Sequence, residues 1–328
     1  MAGKKRILSG MRPTGPLHLG NLHGALLNWI QMQDEYDCFY FIADWHALTS
    51  DYENTDKITG YVREMMIDWL SAGLSPEKST LFVQSHVKEH AELFLLLSMI
   101  TPVPWLERNP TYKDQIVQLS NKDLSTFGFL GYPVLQAADI IMYKAKGVPV
   151  GIDQVPHVEI TREIARRFNH LYGEVFPEPD SILTKTPKIL GTDRRKMSKS
   201  YNNAIYLGDS PEIIRKIVAT MITDPQRARK SDPGNPEVCN VFEFHKIYSD
   251  LDTQKKINKE CRSAQIGCVE CKKIMAENLI KALEPIREKR AYYMQKPKMV
   301  DEIIKTGSDK ACAVATRTME EVRAAVKI

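Results

Sequence analysis

Three short stretches of this 328-residue chain carry residue types whose spacing could do chemistry. The first, PTGPLHLGNLHG at 13–24, follows an apolar run and precedes residues with helical apolar spacing. Gly15 and Gly20 would let backbone and a flat ligand approach closely, and His18 can donate to a phosphate or ribose oxygen. The stretch lacks the G-x-G-x-x-G fingerprint and the lysine-bearing P-loop pattern, so those two nucleotide loops are disfavoured, and alone it reads equally as a well-turned loop without a ligand. The second stretch, GTDRRKMSKSYNN at 191–203, sets Lys196 and Lys199 three apart among serines and a glycine. Such a loop is expected to be mobile and cationic and suits a polyphosphate, although a charge run by itself is ordinarily a solvated face. The third is Cys239, Cys261, Cys268 and Cys271, spaced C-x21-C-x6-C-x2-C. A single close pair fits a redox pair or coincidence, but four of the six cysteines within 33 residues point to a metal centre. Having one close pair rather than two favours four thiolates around a 4Fe-4S cluster over zinc.

Elements must position these residues. Apolar, β-rich runs at 6–11, 39–44, 80–85 and 148–152 alternate with stretches whose apolar residues fall three and four apart. A strand–helix–strand spacing of about 35 residues indicates right-handed βαβ crossovers and a doubly wound parallel sheet. The first stretch is then the loop from the first strand into the first helix, where ligands bind in such sheets. A polar, proline-punctuated segment opens an insertion around 101–147. From 204 onward helical patterns dominate. The expected organisation is a Rossmann-like catalytic domain at 1–203 and a mostly α-helical, cysteine-bearing domain at 204–328, with room for the last helix to pack back on the first domain. The net charge of +4 is mild. It suits solubility or contact with nucleic acid. No stretch has the length of a signal-peptide core or a membrane span, so a cytoplasmic location with reduced cysteines is expected.

The order of the motifs adds more. HLGN near the start of a Rossmann-like half, followed by KMSKS at its end, resembles the paired signature of class I aminoacyl-tRNA synthetases. VPVGIDQVPHVEITREIARRFN at 148–169, YPVLQAADIIMY at 132–143 and ADWHALTSDY at 43–52 are similar to the tryptophanyl members, and the likeness runs from Ile7 to the last helix. Leu8 stands where the tyrosyl members carry a tyrosine, which favours an indole pocket. A tyrosyl enzyme and a synthetase-like RNA-binding protein without catalysis are the alternatives. The cysteine pattern resembles that of a bacterial subset carrying an iron-sulfur cluster in the anticodon-binding domain.

What the resemblance implies is ATP-dependent activation of L-tryptophan to an adenylate and its transfer to the 3′ end of tRNA(Trp), with Mg2+, by a homodimer that does not enter the membrane. It makes His18, Lys196 and Lys199 catalytic, and places Arg12, Thr14, Gly15, His18, Gly20, Asn21, Asp153, Lys196, Met197, Ser198 and Lys199 around ATP. Around tryptophan it places Leu8, Gly10, His46, Tyr132, Gln136, Asp139, Val148, Val150 and Gln154. Of these, Asp139 would accept the indole N–H, Tyr132 and Gln154 would hold the α-amino group, and His46 would form the pocket floor. Without the resemblance, Asp139 reads as a capping or ion-paired aspartate and Gln154 as a helix-start polar residue. Two positions depart from the pattern: Asn21 replaces a second histidine, and Arg12 replaces a glutamine. Arg262, Lys272 and Lys273, beside the cysteines, would meet tRNA, with Arg262 stacking on an anticodon base.

Overall fold

The computed structural model describes residues 3–118, 123–183 and 189–328. The apolar runs form a five-stranded parallel sheet in the order β3-β2-β1-β4-β5. Its strands are β1 (Arg6–Met11), β2 (Asp37–Ile42), β3 (Ser79–Val83), β4 (Gly147–Val150) and β5 (Asp180–Leu183). Ile7 is in register with Cys38 of β2 on one side and Gly147 of β4 on the other. Strand order therefore reverses beside β1, and the loop leaving β1 emerges at the switch point. The sequence carries no signal for β5, because four half-exposed residues at a sheet edge need no apolar run.

The chain divides into two compact units, and the division is not a single cut. The first holds Met1–Gly15, Asn28–Lys185 and Lys296–Ile328; the second holds Pro16–Leu27 and Thr186–Gln295.

In the first unit, the helices Ile58–Ala72 and Val155–Tyr172 both stop at glycines with positive φ, Gly73 at 120° and Gly173 at 100°. Side-chain-free residues tolerate that backbone. The Phe127–Met142 helix starts where the Thr126 side chain accepts from the Phe129 N–H, and it is buried over most of its length. Spacings of four and three place Tyr132, Gln136 and Asp139 on one face of it. The long Pro297–Val326 helix packs on β3 so closely that a Cβ added to Gly307 would lie 1.7 Å from the carbonyl oxygen of Leu81.

In the second unit, the first-motif residues are stitched to the segment after the lysine loop. Leu19 N–H donates to the Ile205 carbonyl at 3.0 Å, and Leu207 N–H to the Leu17 carbonyl at 2.9 Å. The helices Pro211–Thr220, Asn240–Tyr248, Leu251–Arg262 and Cys268–Met294 make up the rest. Among the described residues no helix is long and apolar enough to cross a membrane.

Candidate active site

The second unit holds both signature loops. His18 caps the short helical turn Leu19–Asn21 reciprocally: its Nδ1 accepts the Asn21 N–H at 3.3 Å, and Asn21 Oδ1 accepts the His18 N–H at 3.1 Å. With Nδ1 accepting, a neutral His18 carries its proton on Nε2. It is neutral: burial, helped by the charge of Lys199, pushes its pKa down to about 4. Gly20 makes room for this ring, since a Cβ there would lie 2.9 Å from it, and Met197 packs next to Gly20 on the other side. Asn21 thus serves the fold of the loop through its side chain.

The lysine loop is organised by a residue that the sequence reading passed over. Asn203 is buried, accepts the Ser198 N–H at 2.8 Å, and donates to Asp193 Oδ1 at 2.7 Å and to the Lys196 carbonyl at 3.2 Å. Gly191 is pressed against the same side chain. Ser198 caps the turn Lys199–Tyr201 by accepting the Ser200 N–H, and Asn202 closes it at φ 50°. Met197 is buried and Lys196 exposed, so the loop points apolar residue inward and cation outward.

The first unit holds a second polar cluster, centred on Asp139. This carboxylate is 0% exposed. Its Oδ2 accepts from His46 Nε2 at 2.8 Å, its Oδ1 from His90 Nδ1 at 2.5 Å, and Gln84 Nε2 reaches both oxygens at 2.8 and 3.0 Å. Burial pushes the carboxyl pKa up, but hydrogen bonds from His46 and His90 and their charge outweigh it, and it ends below its ordinary value. Leu8, Val148 and Val150 are buried in one apolar cluster with Ala138 and Ile140, the chain neighbours of Asp139, and a Cβ added to Gly10 would lie 2.5 Å from the Phe41 ring. Tyr132 O meets His157 Nε2 at 3.0 Å, and His157 Nδ1 takes Asn109 Nδ2 at 3.3 Å. Burial pushes His157 down to about 4, so it is neutral and its Nε2–H donates to Tyr132. One Tyr132 lone pair stays available to an ammonium donor.

The remaining expected ligands of the first unit are more open. Thr14 N–H donates to the Arg12 carbonyl in a tight turn, and Gly15 follows at φ 119°. Arg12 keeps contact with solvent, while desolvation by the surrounding protein lowers its pKa. Gln154 Nε2 donates to Asp153 Oδ2 at 3.1 Å, which leaves the Gln154 oxygen as an acceptor. Gln136 is half-buried. The structure thus joins Asp139 directly to His46, and adds Gln84, His90 and His157, which sequence reading missed. The available signal for Gln84 was a polar residue at the carboxyl end of a parallel strand.

The iron-sulfur expectation is corrected. Among the described residues no group of three or more His, Cys, Asp or Glu side chains is placed to hold a metal ion. Cys239, Cys261, Cys268 and Cys271 are free thiols of one unit. Cys271 Sγ faces His245 Nε2 at 3.5 Å, and burial pushes its pKa up to about 12; Cys261 Sγ takes Arg227 Nη1 at 3.7 Å. Burial also raises the pKa of Cys239 and Cys261. The expected 4Fe-4S cluster is therefore not supported among the described residues. Sequence spacing measures separation along the chain, whereas a ligand set needs converging donor atoms. The tRNA candidates are also partly engaged: Arg262 binds Asn258 at 2.9 Å and Glu237 at 3.4 Å, and Lys272 donates to the Ala219 carbonyl at 2.8 Å, while Lys273 is exposed.

The model of the family described as tRNA synthetases class I (W and Y) matches residues 2–284. The chain is 55% identical to the tryptophan–tRNA ligase of Thermotoga maritima, over 98% of this chain and 99% of that one. It is 48% identical to the tryptophan–tRNA ligase of Aquifex aeolicus, over 98% of this chain and all of the relative. A tryptophanyl-tRNA synthetase of Campylobacter jejuni, solved with ADP and tryptophan, superposes with a TM-score of 0.91 at 34% identity, covering 98% of this chain and 100% of that chain.

Proposed function

We infer the working parts below from one premise: the chain belongs to the class I aminoacyl-tRNA synthetases and, within them, to the tryptophanyl enzymes. It activates L-tryptophan with ATP and transfers it to tRNA(Trp). The tryptophan carboxylate attacks the α-phosphorus, the bond to the bridging oxygen breaks, and pyrophosphate leaves. The acyl group then passes to the terminal ribose hydroxyl of tRNA as AMP departs. The nucleophile belongs to the substrate, so the protein's work is positioning and charge stabilisation. Mg2+ would enter with the nucleotide, neutralising charge on its phosphates.

His18, held neutral with Nε2–H outward, suits a phosphate or ribose oxygen. Lys196 and Lys199 supply cationic charge where pyrophosphate develops, with Ser198 and Met197 fixing their turn and Gly15, Gly20 and Asn21 shaping the facing loop; Arg12, Thr14 and Asp153 complete the ATP set. Asp139 is the acceptor for the indole N–H, His46 is the donor that gives way to it, and Tyr132 and Gln154 hold the α-amino group. The observation that carries this reading is an ionised carboxylate, wholly buried, whose chain neighbours Ala138 and Ile140 share one apolar cluster with Leu8, Val148 and Val150. Phenylalanine offers no donor to such a group and leaves it unpaired.

A second copy of the chain is the proposed partner for Leu95, Met99, Val103 and Phe127, exposed apolar residues on helices that pack together in the first unit; sedimentation of the intact chain reads this. The exposed Lys255, Lys256, Lys259 and Lys273 suit tRNA phosphates, and the cytoplasm is the proposed place of action.

ATP–pyrophosphate exchange with tryptophan, tyrosine and phenylalanine tests substrate choice. The wild type should exchange with tryptophan alone. Asp139→Asn should lower kcat/KM for tryptophan by about tenfold to a hundredfold, the value of one hydrogen bond to a charged group, and leave the KM for ATP within about threefold. Equal losses for both substrates would make Asp139 a structural residue.

A further inference from the structure

Asp139 has more donors than an indole-reading carboxylate requires. An ionised carboxylate only accepts, with roughly four lone-pair positions over its two oxygens. Gln84 and His90 together occupy Oδ1, at 2.8 and 2.5 Å. On Oδ2 lie His46 at 2.8 Å and the longer arm of Gln84 at 3.0 Å. The two histidines differ in their surroundings. His46 keeps some contact with solvent, whereas His90 is 0% exposed and touches the rings of Phe41, Phe82 and Tyr143. His90 is also held from behind, because its Nε2 meets the Tyr143 hydroxyl at 2.7 Å and Tyr143 is itself buried. Its ring therefore cannot turn without breaking two hydrogen bonds inside an aromatic cage.

We propose that His90 is a positioning residue for tryptophan recognition: anchored by Tyr143, it pins Oδ1 of Asp139 and so leaves Oδ2 as the oxygen presented to the indole N–H. This rests on the reading of Asp139 as the indole acceptor. The arrangement divides the carboxylate into a fixed half and an exchangeable half. The fixed half is Oδ1 with His90 and the shorter Gln84 bond. The exchangeable half is Oδ2, where His46 or the longer Gln84 arm withdraws as substrate enters. Discrimination for tryptophan then depends on a side chain that never touches it.

The test is pyrophosphate exchange on the intact chain with His90→Leu, His90→Asn and Asp139→Asn, varying tryptophan and ATP separately. Leucine removes the donor and keeps apolar bulk; asparagine restores a donor at the place of Nδ1. His90→Leu should raise the KM for tryptophan about tenfold to a hundredfold with kcat within about threefold and the KM for ATP within about twofold. His90→Asn should recover to within about fivefold of wild type. An unchanged tryptophan KM in His90→Leu, parallel rises for both substrates, or an asparagine variant no better than leucine overturns the proposal. Loss in Asp139→Asn with none in His90→Leu removes His90 alone; an unaffected Asp139→Asn removes the reading beneath it. Where His90→Leu does not fold, the wild type decides through histidine 15N labelling. The His90 Nδ1 signal should move when tryptophan, not phenylalanine, is added, and a signal indifferent to tryptophan overturns the assignment.

Discussion

His18 presents a proton from Nε2 because three features of its surroundings decide its state: the Asn21 N–H claims Nδ1, burial keeps the ring neutral, and Gly20 leaves it space. Asn203 has a comparable place in the lysine loop. One amide fixes the backbone at Ser198, the carboxylate of Asp193 and the carbonyl of Lys196. Replacing Asn203 with alanine should loosen the placement of both lysines without touching the tryptophan pocket. We expect kcat for adenylate formation to fall about tenfold to a hundredfold, with the tryptophan KM within about twofold, in steady-state pyrophosphate exchange. A matching rise in tryptophan KM would mean that Asn203 supports more than the loop. Asn203→Asp should not rescue, since a second carboxylate would face Asp193.

At the scale of elements, two glycines in helices of the first unit are opposed in consequence. Gly307, on the Pro297–Val326 helix, sits where a Cβ would overlap the backbone of β3 at Leu81. Backbone cannot move aside as a flexible side chain can, so Gly307→Ala should force the helix outward. A loss of about 3 kcal/mol is expected in denaturant unfolding, at the upper end of overpacking costs. Gly60, on the Ile58–Ala72 helix, is exposed and has nothing within 4 Å of an added Cβ. Gly60→Ala should instead stabilise by about 0.5 to 1 kcal/mol through helix propensity. Both substitutions shifting stability in the same direction would contradict the close approach at Leu81.

For the whole molecule, acid is the sensitive direction. His18, His157 and His245 are each pushed by burial from 6.5 down to about 4, and all three are nearly inaccessible. Between those values the unfolded chain binds protons that the folded chain refuses. Stability is therefore fully present above about pH 6.5 and is lost progressively as pH falls toward 4. Denaturant unfolding from pH 7.5 to 4.5 should show this decline, and His245→Asn should make it shallower by up to about 1.4 kcal/mol per pH unit, one proton's worth. A slope identical to that of wild type would mean that His245 titrates alike in both states. The three histidines come from both units, so the decline is a property of the molecule and not of one site.

Local pattern made much of this legible in advance. The strands β1 to β4 are apolar runs, and the two signature loops are literal short motifs. Each depends on residues adjacent in the chain, or three and four apart, so sequence by itself determined four strands of the parallel sheet, their connecting helices and the family. The tertiary structure decided which polar groups meet. Gln84 and His90 reach Asp139 across 55 and 49 residues, and Gly307 meets Leu81 from the far end of the chain. The four cysteines show the converse, since among the described residues a metal-like spacing forms no recognised ligand set. The physical reason is the same in every case. Periodicity follows from local backbone geometry, whereas a hydrogen bond or a metal ligand needs atoms within about 3 Å, and only the packed chain sets those distances.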